Sequence, residues 1–96
     1  QGLFADRGRP LIQVVATGFN DLALLYQREG QYIEAEPLLK RALEIRERTL
    51  GPEHADVAAT LEDYAMLLRE TGRAAEAEVY AARAKAIRAM DGAETR

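Results

Sequence analysis

The sequence repeats itself with a period of 42 residues. Laying residues 9–50 over residues 51–92 requires no gap and gives fourteen identical pairs. The pairs include glycines, small alanines and apolar residues, and Gly30 for example falls on Gly72. These are the residue types that a repeated packing geometry constrains. The chain is therefore expected to contain two copies of one supersecondary unit.

Each unit is predicted to be a pair of helices. In the first unit, apolar residues between Val15 and Tyr26 recur at steps of three and four, which is typical of an amphipathic helix. Gly30 and Gly72 are expected to end a helix with a positive φ, and Asp56 is expected to cap the third helix. The predicted helices are residues 11–28, 33–49, 56–70 and 75–90.

The two units account for most of the chain. The first is predicted to span residues 9–50 and the second residues 51–92, with 1–8 as a disordered or linker segment and 93–96 as a frayed tail. No alternation of apolar and polar residues competes with the helical period. The sequence therefore predicts an all-α fold with four main helices.

The composition excludes several classes of function. The 96 residues suit one small domain. There is no Cys, no Ser and one His, His54, so disulfides, thiolate metal sites and serine triads are excluded. The net charge of −3 disfavours nucleic-acid binding, and no apolar run reaches the ~18–20 residues that span a bilayer. We expect no catalysis, no cofactor, no metal, no nucleic-acid partner and no membrane partner.

Several segments of the first unit carry a family resemblance. They read NDLALLY, GQY, EAEPL, RALEIRE and LGPEH in chain order. Together they resemble the tetratricopeptide repeat, in the 42-residue form of kinesin light chains and many bacterial proteins, over residues 10–90. The resemblance implies a right-handed α-solenoid of stacked antiparallel helix pairs. It also implies a protein or peptide partner on the concave face, which the first helix of each pair lines.

The resemblance further implies a set of peptide-binding residues. Asn20 matches an asparagine that holds the ligand backbone, since an amide both donates and accepts. Its equivalent is Glu62, which only accepts, so acidic ligands are disfavoured. Leu24 and Met66 are either ligand contacts or interior packing. The implied residues are Thr17, Asn20, Leu24, Gln27 and Arg28 in the first unit, and Ala59, Glu62, Met66, Arg69 and Glu70 in the second.

The two ends of the sequence differ in polarity. Lys85 replaces Leu43 in the last helix, as expected for the water-facing cap of a solenoid. The first helix instead begins with an apolar front that an isolated monomer would expose to water. Its residues, the predicted self-association site, are Leu11, Ile12, Val14 and Val15. The chain is thus expected to be the carboxyl-terminal part of a longer array, or a homo-oligomer joined through helix 11–28.

Two functional hypotheses follow from the sequence. The first is a non-catalytic adaptor that binds a protein or peptide on its concave face. The second is a structural unit that joins copies of itself. His54 is interpreted as a structural residue of the turn between units, and a cytoplasmic location is expected. Eleven Arg against two Lys, with abundant Ala, is typical of GC-rich bacterial coding.

Overall fold

The computed structural model describes the backbone of residues 2–94 and the side chains of residues 11–90. Within this part the chain forms four helices and no strand. The all-α fold with two helix pairs, which the repeat predicted, is therefore confirmed. The helices are α1 (Gly2–Arg28), α2 (Tyr32–Leu50), α3 (Ala55–Glu70) and α4 (Ala74–Glu94).

The turn inside each pair is built around a glycine. Gly30 and Gly72 have φ values of 78° and 80°, a region that side-chain-bearing residues rarely adopt. In the first turn the N–H of Gln31 donates to the carbonyl of Tyr26 over 2.8 Å, which satisfies one of the orphan carbonyls of α1. The second turn has the same bond 42 residues later. The predicted glycine stops are confirmed.

The cap of α3 differs from the prediction. The imidazole Nδ1 of His54 accepts a hydrogen bond of 3.0 Å from the backbone N–H of Asp56, so His54 is the N-cap. Asp56 lies inside the first turn, and the prediction that it caps the helix was wrong. A neutral imidazole nitrogen can replace the usual cap oxygen because it carries a lone pair. His54 thus holds the turn between the units, as interpreted from the sequence.

The first helix begins earlier than predicted. Residues 2–8, expected to be disordered or a linker, belong to α1, which continues through Pro10. An interior proline lacks an N–H donor and crowds the carbonyl four residues earlier, yet α1 continues on both sides of Pro10. At the other end α4 includes residues 93 and 94 of the predicted tail. Residues 1, 95 and 96 lie outside the described part, and the unit boundaries remain predictions.

Packing is strongest within each pair. α1 lies on α2 and α3 lies on α4, while α2 packs against α3 and joins the two pairs. Fully buried alanines allow the helices to approach closely. In the main core cluster they are Ala23, Ala35 and Ala77. α1 meets α3 only along a short seam.

A carboxylate of α2 also ties the two pairs together. Glu36 accepts hydrogen bonds from the Arg73 guanidinium at 2.8 Å and from the Tyr64 hydroxyl at 3.0 Å. The hydrogen bond from Arg73 is the largest cause that lowers the pKa of Glu36, against the raising effect of partial burial.

Among the described helices, none has a stretch both long and apolar enough to cross a membrane.

Candidate peptide-binding groove

Two amide–carboxylate contacts join α1 to α3. Asn20 Nδ2 donates to Asp63 Oδ2 over 3.1 Å, and Gln27 Nε2 donates to Glu70 Oε1 over 2.7 Å. The partners in both contacts are 43 residues apart. Positions seven apart on a helix lie on one face, so the two bonds repeat along the seam. They hold α1 and α3 side by side.

A cavity of about 190 Å³ lies along this seam. Leu24 and Met66 supply its apolar surface; Leu24 is partly buried and Met66 is half exposed. All five lining residues belong to the set that the family resemblance implied. They are Leu24, Gln27, Arg28, Met66 and Glu70. The structure thus brings five predicted residues together in one concave surface.

Gln27 carries an unused hydrogen-bond acceptor in this cavity. Its side chain is 8% exposed, and no donor within the described part of the chain reaches Oε1. The carboxylate of Glu70 can only accept, so Gln27 must turn its Nε2 towards Glu70. This leaves Oε1 directed away from that bond. A buried amide oxygen without a donor is costly. Because Oε1 is closed off from solvent, a ligand N–H removes this cost only when the Gln27 side chain turns its oxygen into the cavity.

Opposite charges flank the cavity. Arg28 and Glu70 are both exposed, each at the end of its helix. Arg28 can bind a ligand carboxylate, because its planar guanidinium can donate two parallel N–H bonds. Glu70 offers acceptor oxygens beside the amide it already binds. The cavity can therefore bind a ligand that is polar at its edges and apolar in the middle.

A second polar cluster occupies the amino-terminal half of the seam. Arg46 of α2 is nearly buried and donates to Thr60 at 2.7 Å and to Thr17 at 3.2 Å. The Thr60 hydroxyl in turn donates to Asn20 Oδ1 over 3.2 Å. Arg46 Nε is buried and meets no acceptor among the described residues. Thr17 and Asn20 thus contribute to a bridge between three helices.

Asp63 lies at the edge of this cluster. Burial raises the pKa of its carboxyl, and the adjacent charge of Glu62 acts in the same direction. The hydrogen bond from Asn20 and the positive charge of Arg46 oppose the increase. Asn20 therefore has its oxygen and one amide hydrogen engaged inside the chain, which leaves little of this side chain for a ligand.

The remaining groove residues of the second unit turn towards α4. Glu62 accepts from Arg88 at 2.6 and 2.9 Å, and that hydrogen bond lowers the pKa of Glu62. Arg69 lies 3.6 Å from Glu78. Neither residue lines the cavity of 190 Å³, and Ala59 is partly buried outside it. The structure therefore separates these three residues from the five that line the cavity.

The apolar front of α1 forms a different surface. Leu11, Ile12 and Val15 line a cavity of about 370 Å³ on the side of α1 and α2 that faces away from α3. Val14 is exposed but lies outside that cavity. The rest of the lining comes from α2. It consists of Arg41, Ile45, Arg48 and Thr49.

Sequence reasoning missed three residues that shape the groove. Arg46, Thr60 and Asp63 connect α1, α2 and α3 through side chains up to 43 residues apart. A partial signal existed for Arg46, which repeats as Arg88 one period later. Thr60 has no such signal, because its counterpart in the first unit is Gly18.

These features define a class of protein, the α-solenoid built from helix pairs with a concave groove on one face. The chain belongs to the tetratricopeptide repeat family, which it matches over residues 14–89. Repeats of this family form protein–protein interaction modules, and most of them carry no catalytic activity. No curated protein matches the chain. The kinesin-light-chain-like subtype remains a prediction.

Proposed function

We propose that the protein is a non-catalytic adaptor that binds an extended segment of a partner protein in the groove between α1 and α3. The observation that carries this proposal is a concave surface in which Leu24 and Met66 lie between Arg28 and Glu70, beside the unpartnered Gln27 Oε1. The interior of a helix uses its own N–H groups, whereas an extended segment offers them to a neighbour. An extended ligand therefore fits this acceptor better than a helical one.

The chemistry of the groove narrows the ligand further. An apolar side chain would pack between Leu24 and Met66, and a backbone N–H would donate to Gln27. Arg28 and Glu70 bear opposite charges, so they favour a ligand that carries one group of each sign over a uniformly acidic one. A cytoplasmic location belongs to the same proposal.

A peptide library displayed on phage provides the ligands for a test. Peptides selected on the full chain should lose at least tenfold in affinity when the groove carries Met66→Lys or Arg28→Glu. Lys85→Glu is the matched control, because Lys85 is exposed on α4 and lies outside the groove. Asn20 is unsuitable for this test, since it also holds the three-helix cluster together.

The acceptor on Gln27 has a test of its own. Replacing single amides of a selected peptide by esters removes one N–H at a time. The ester at one peptide position should lower the affinity about tenfold, as expected for the loss of one hydrogen bond of about 1.4 kcal/mol. Selected peptides that bind the groove variants as well as the wild type would disprove the proposed groove.

A second candidate function is self-association through the apolar front. The observation in its favour is that Leu11, Ile12, Val14 and Val15 are all exposed large side chains on one helix. Contiguous exposed apolar surface often marks an interface. Sedimentation velocity at several concentrations should then show a dimer that Ile12→Glu with Val15→Glu converts to monomer. A monomer at all concentrations would remove this candidate.

A further inference from the structure

The internal repeat shows which surface of the first unit the described helices leave uncovered. Residues of α1 and their counterparts in α3, 42 positions later, differ sharply in exposure. The pairs are Val15 and Val57 at 49% and 0%, Leu22 and Tyr64 at 42% and 3%, and Leu25 and Leu67 at 50% and 0%. The α3 residues are covered because α2 packs on them. We call the corresponding uncovered surface of α1 and α2, which includes the cavity of 370 Å³, the outer face.

The covered surface of the second unit shows what fits such a slot. Leu43 of α2 packs into a cluster with Val57 and Ile87. One turn further on, Glu47 of α2 forms an ion pair with Arg83 of α4. Positions i and i+4 lie on the same side of a helix. The helix in this slot therefore presents a leucine and, four residues later, a carboxylate.

The outer face repeats the receiving side of this contact. Val15 and Ile45 are the counterparts of Val57 and Ile87, and both line the cavity. Arg41 is the counterpart of Arg83 and lies at the same cavity. Arg41 and Arg48 share a single carboxylate, Glu44, at 2.9 and 4.0 Å. The edge of the cavity is thus net positive.

We infer that the outer face binds an amphipathic helix of a separate partner protein, one that carries a leucine and an acidic residue four positions later. The leucine enters the cavity between Val15 and Ile45. The carboxylate pairs with Arg41, as Glu47 pairs with Arg83 in the second unit. This site is separate from the groove between α1 and α3, and it does not depend on the proposed function of that groove.

The outer face includes the apolar front, so this inference competes with the self-association given above as the second candidate function, and the charges of the chain favour a foreign helix over a second copy as the occupant. The helix that would enter the slot in a stacked copy is α4, where Lys85 and Ala89 replace Leu43 and Glu47. Burying a lysine in an apolar slot is unfavourable without a partner. A face-to-face dimer would bring two basic edges together, which is also unfavourable. A helix with the chemistry of α2 satisfies both the apolar slot and Arg41.

A synthetic peptide with the sequence of residues 32–50 is a suitable probe, because it contains the helix that already fits. NMR of the full chain with labelled methyl groups should show shifts at Val15 and Ile45 on titration. The matched control is a peptide of residues 74–92, which has the same length and carries Lys85. We expect it to bind at least tenfold more weakly than the peptide of residues 32–50. A Leu43→Lys version of that first peptide should show a similar loss of affinity.

Charge exchange tests the ion pair. Arg41→Glu in the protein should weaken the peptide of residues 32–50 at least tenfold, and Glu47→Arg in the peptide should restore binding to that variant. Equal affinity for wild type and Arg41→Glu would overturn the inference. So would shifts at Val57 and Ile87 instead, which would mean exchange into the covered slot. Absence of shifts up to about 1 mM peptide, or a dimer that buries Val15, would overturn it as well.

Discussion

Thr60 provides the sharpest test of the three-helix cluster behind the groove. The residue is fully buried, and its hydroxyl accepts from Arg46 at 2.7 Å. Its one hydrogen is shared between Asn20 Oδ1 and the Asp56 carbonyl, both at 3.2 Å. Thr60→Val keeps the branched shape and removes only the hydroxyl. It leaves a guanidinium N–H and an amide oxygen buried without that partner.

The expected cost follows from these two contacts. A hydrogen bond to a charged group contributes about 1.5–3 kcal/mol, and an unsatisfied neutral acceptor adds to the loss. We expect Thr60→Val to lower the free energy of unfolding by about 2–3 kcal/mol. A 96-residue chain has about 5–14 kcal/mol in total, so the variant should fold. Its melting temperature should fall by about 8–24 °C.

Urea unfolding followed by circular dichroism measures this loss. The control is Thr17→Val, because Thr17 is exposed and accepts a longer bond of 3.2 Å from the same Arg46. It should cost less than about 1 kcal/mol. A Thr60→Val protein as stable as the wild type would refute the view that this cluster holds the seam. Equal losses for the two variants would contradict the assigned difference between buried and exposed bonds.

Three further predictions concern the turns, the acid range and the cap. Gly72→Ala should lower the free energy of unfolding by about 1–2 kcal/mol, because φ is 80° at this residue, although no atom would clash with the added Cβ. Gly18→Ala is the contrasting variant, because Gly18 lies inside α1 and its added Cβ is equally free of clashes. In the same urea assay it should raise the free energy of unfolding by about 0.5–1 kcal/mol. The lowered pKa of Glu36 means that its ionised form stabilises the fold above about pH 4.5 and that this contribution is lost as the pH falls through the lowered pKa. Glu36→Gln should therefore be less stable at pH 7 and lose less on acidification, and parallel pH–stability curves would contradict this. His54→Ala should cost about 1 kcal/mol in thermal melts through loss of the α3 cap, whereas His54→Asn, which keeps an acceptor, should cost less.

The sequence was most informative where a single residue determines the local backbone. Gly30 and Gly72 were placed correctly because glycine is the residue that most readily adopts a positive φ. The start of α1 was missed because no acidic residue marks its first turn and the 42-residue repeat begins only at residue 9. His54 was missed as a cap because the usual caps are short side chains with an oxygen.

The groove was predicted in part. Five of the implied residues line one cavity, since their spacing places them on the facing sides of α1 and α3. The roles of Asn20 and Glu62 could not be read from the repeat. Asn20 contacts α3, whereas Glu62 contacts α4, so identical register positions have different neighbours. Contacts of this kind depend on which helix comes next in the stack.

The unequal ends of the molecule bear on its solubility. A unit whose last helix matched its own receiving slot would add copies in one direction without a limit, and such open growth gives insoluble fibres. Lys85 and Ala89 interrupt that recognition, because the helix they occupy lacks the leucine and the carboxylate. Two substitutions, Lys85→Leu and Ala89→Glu, would remove the safeguard. If the outer face receives a helix as inferred above, the wild-type protein is expected to stay free of such fibres at high concentration, and the Lys85→Leu, Ala89→Glu variant is expected to form them.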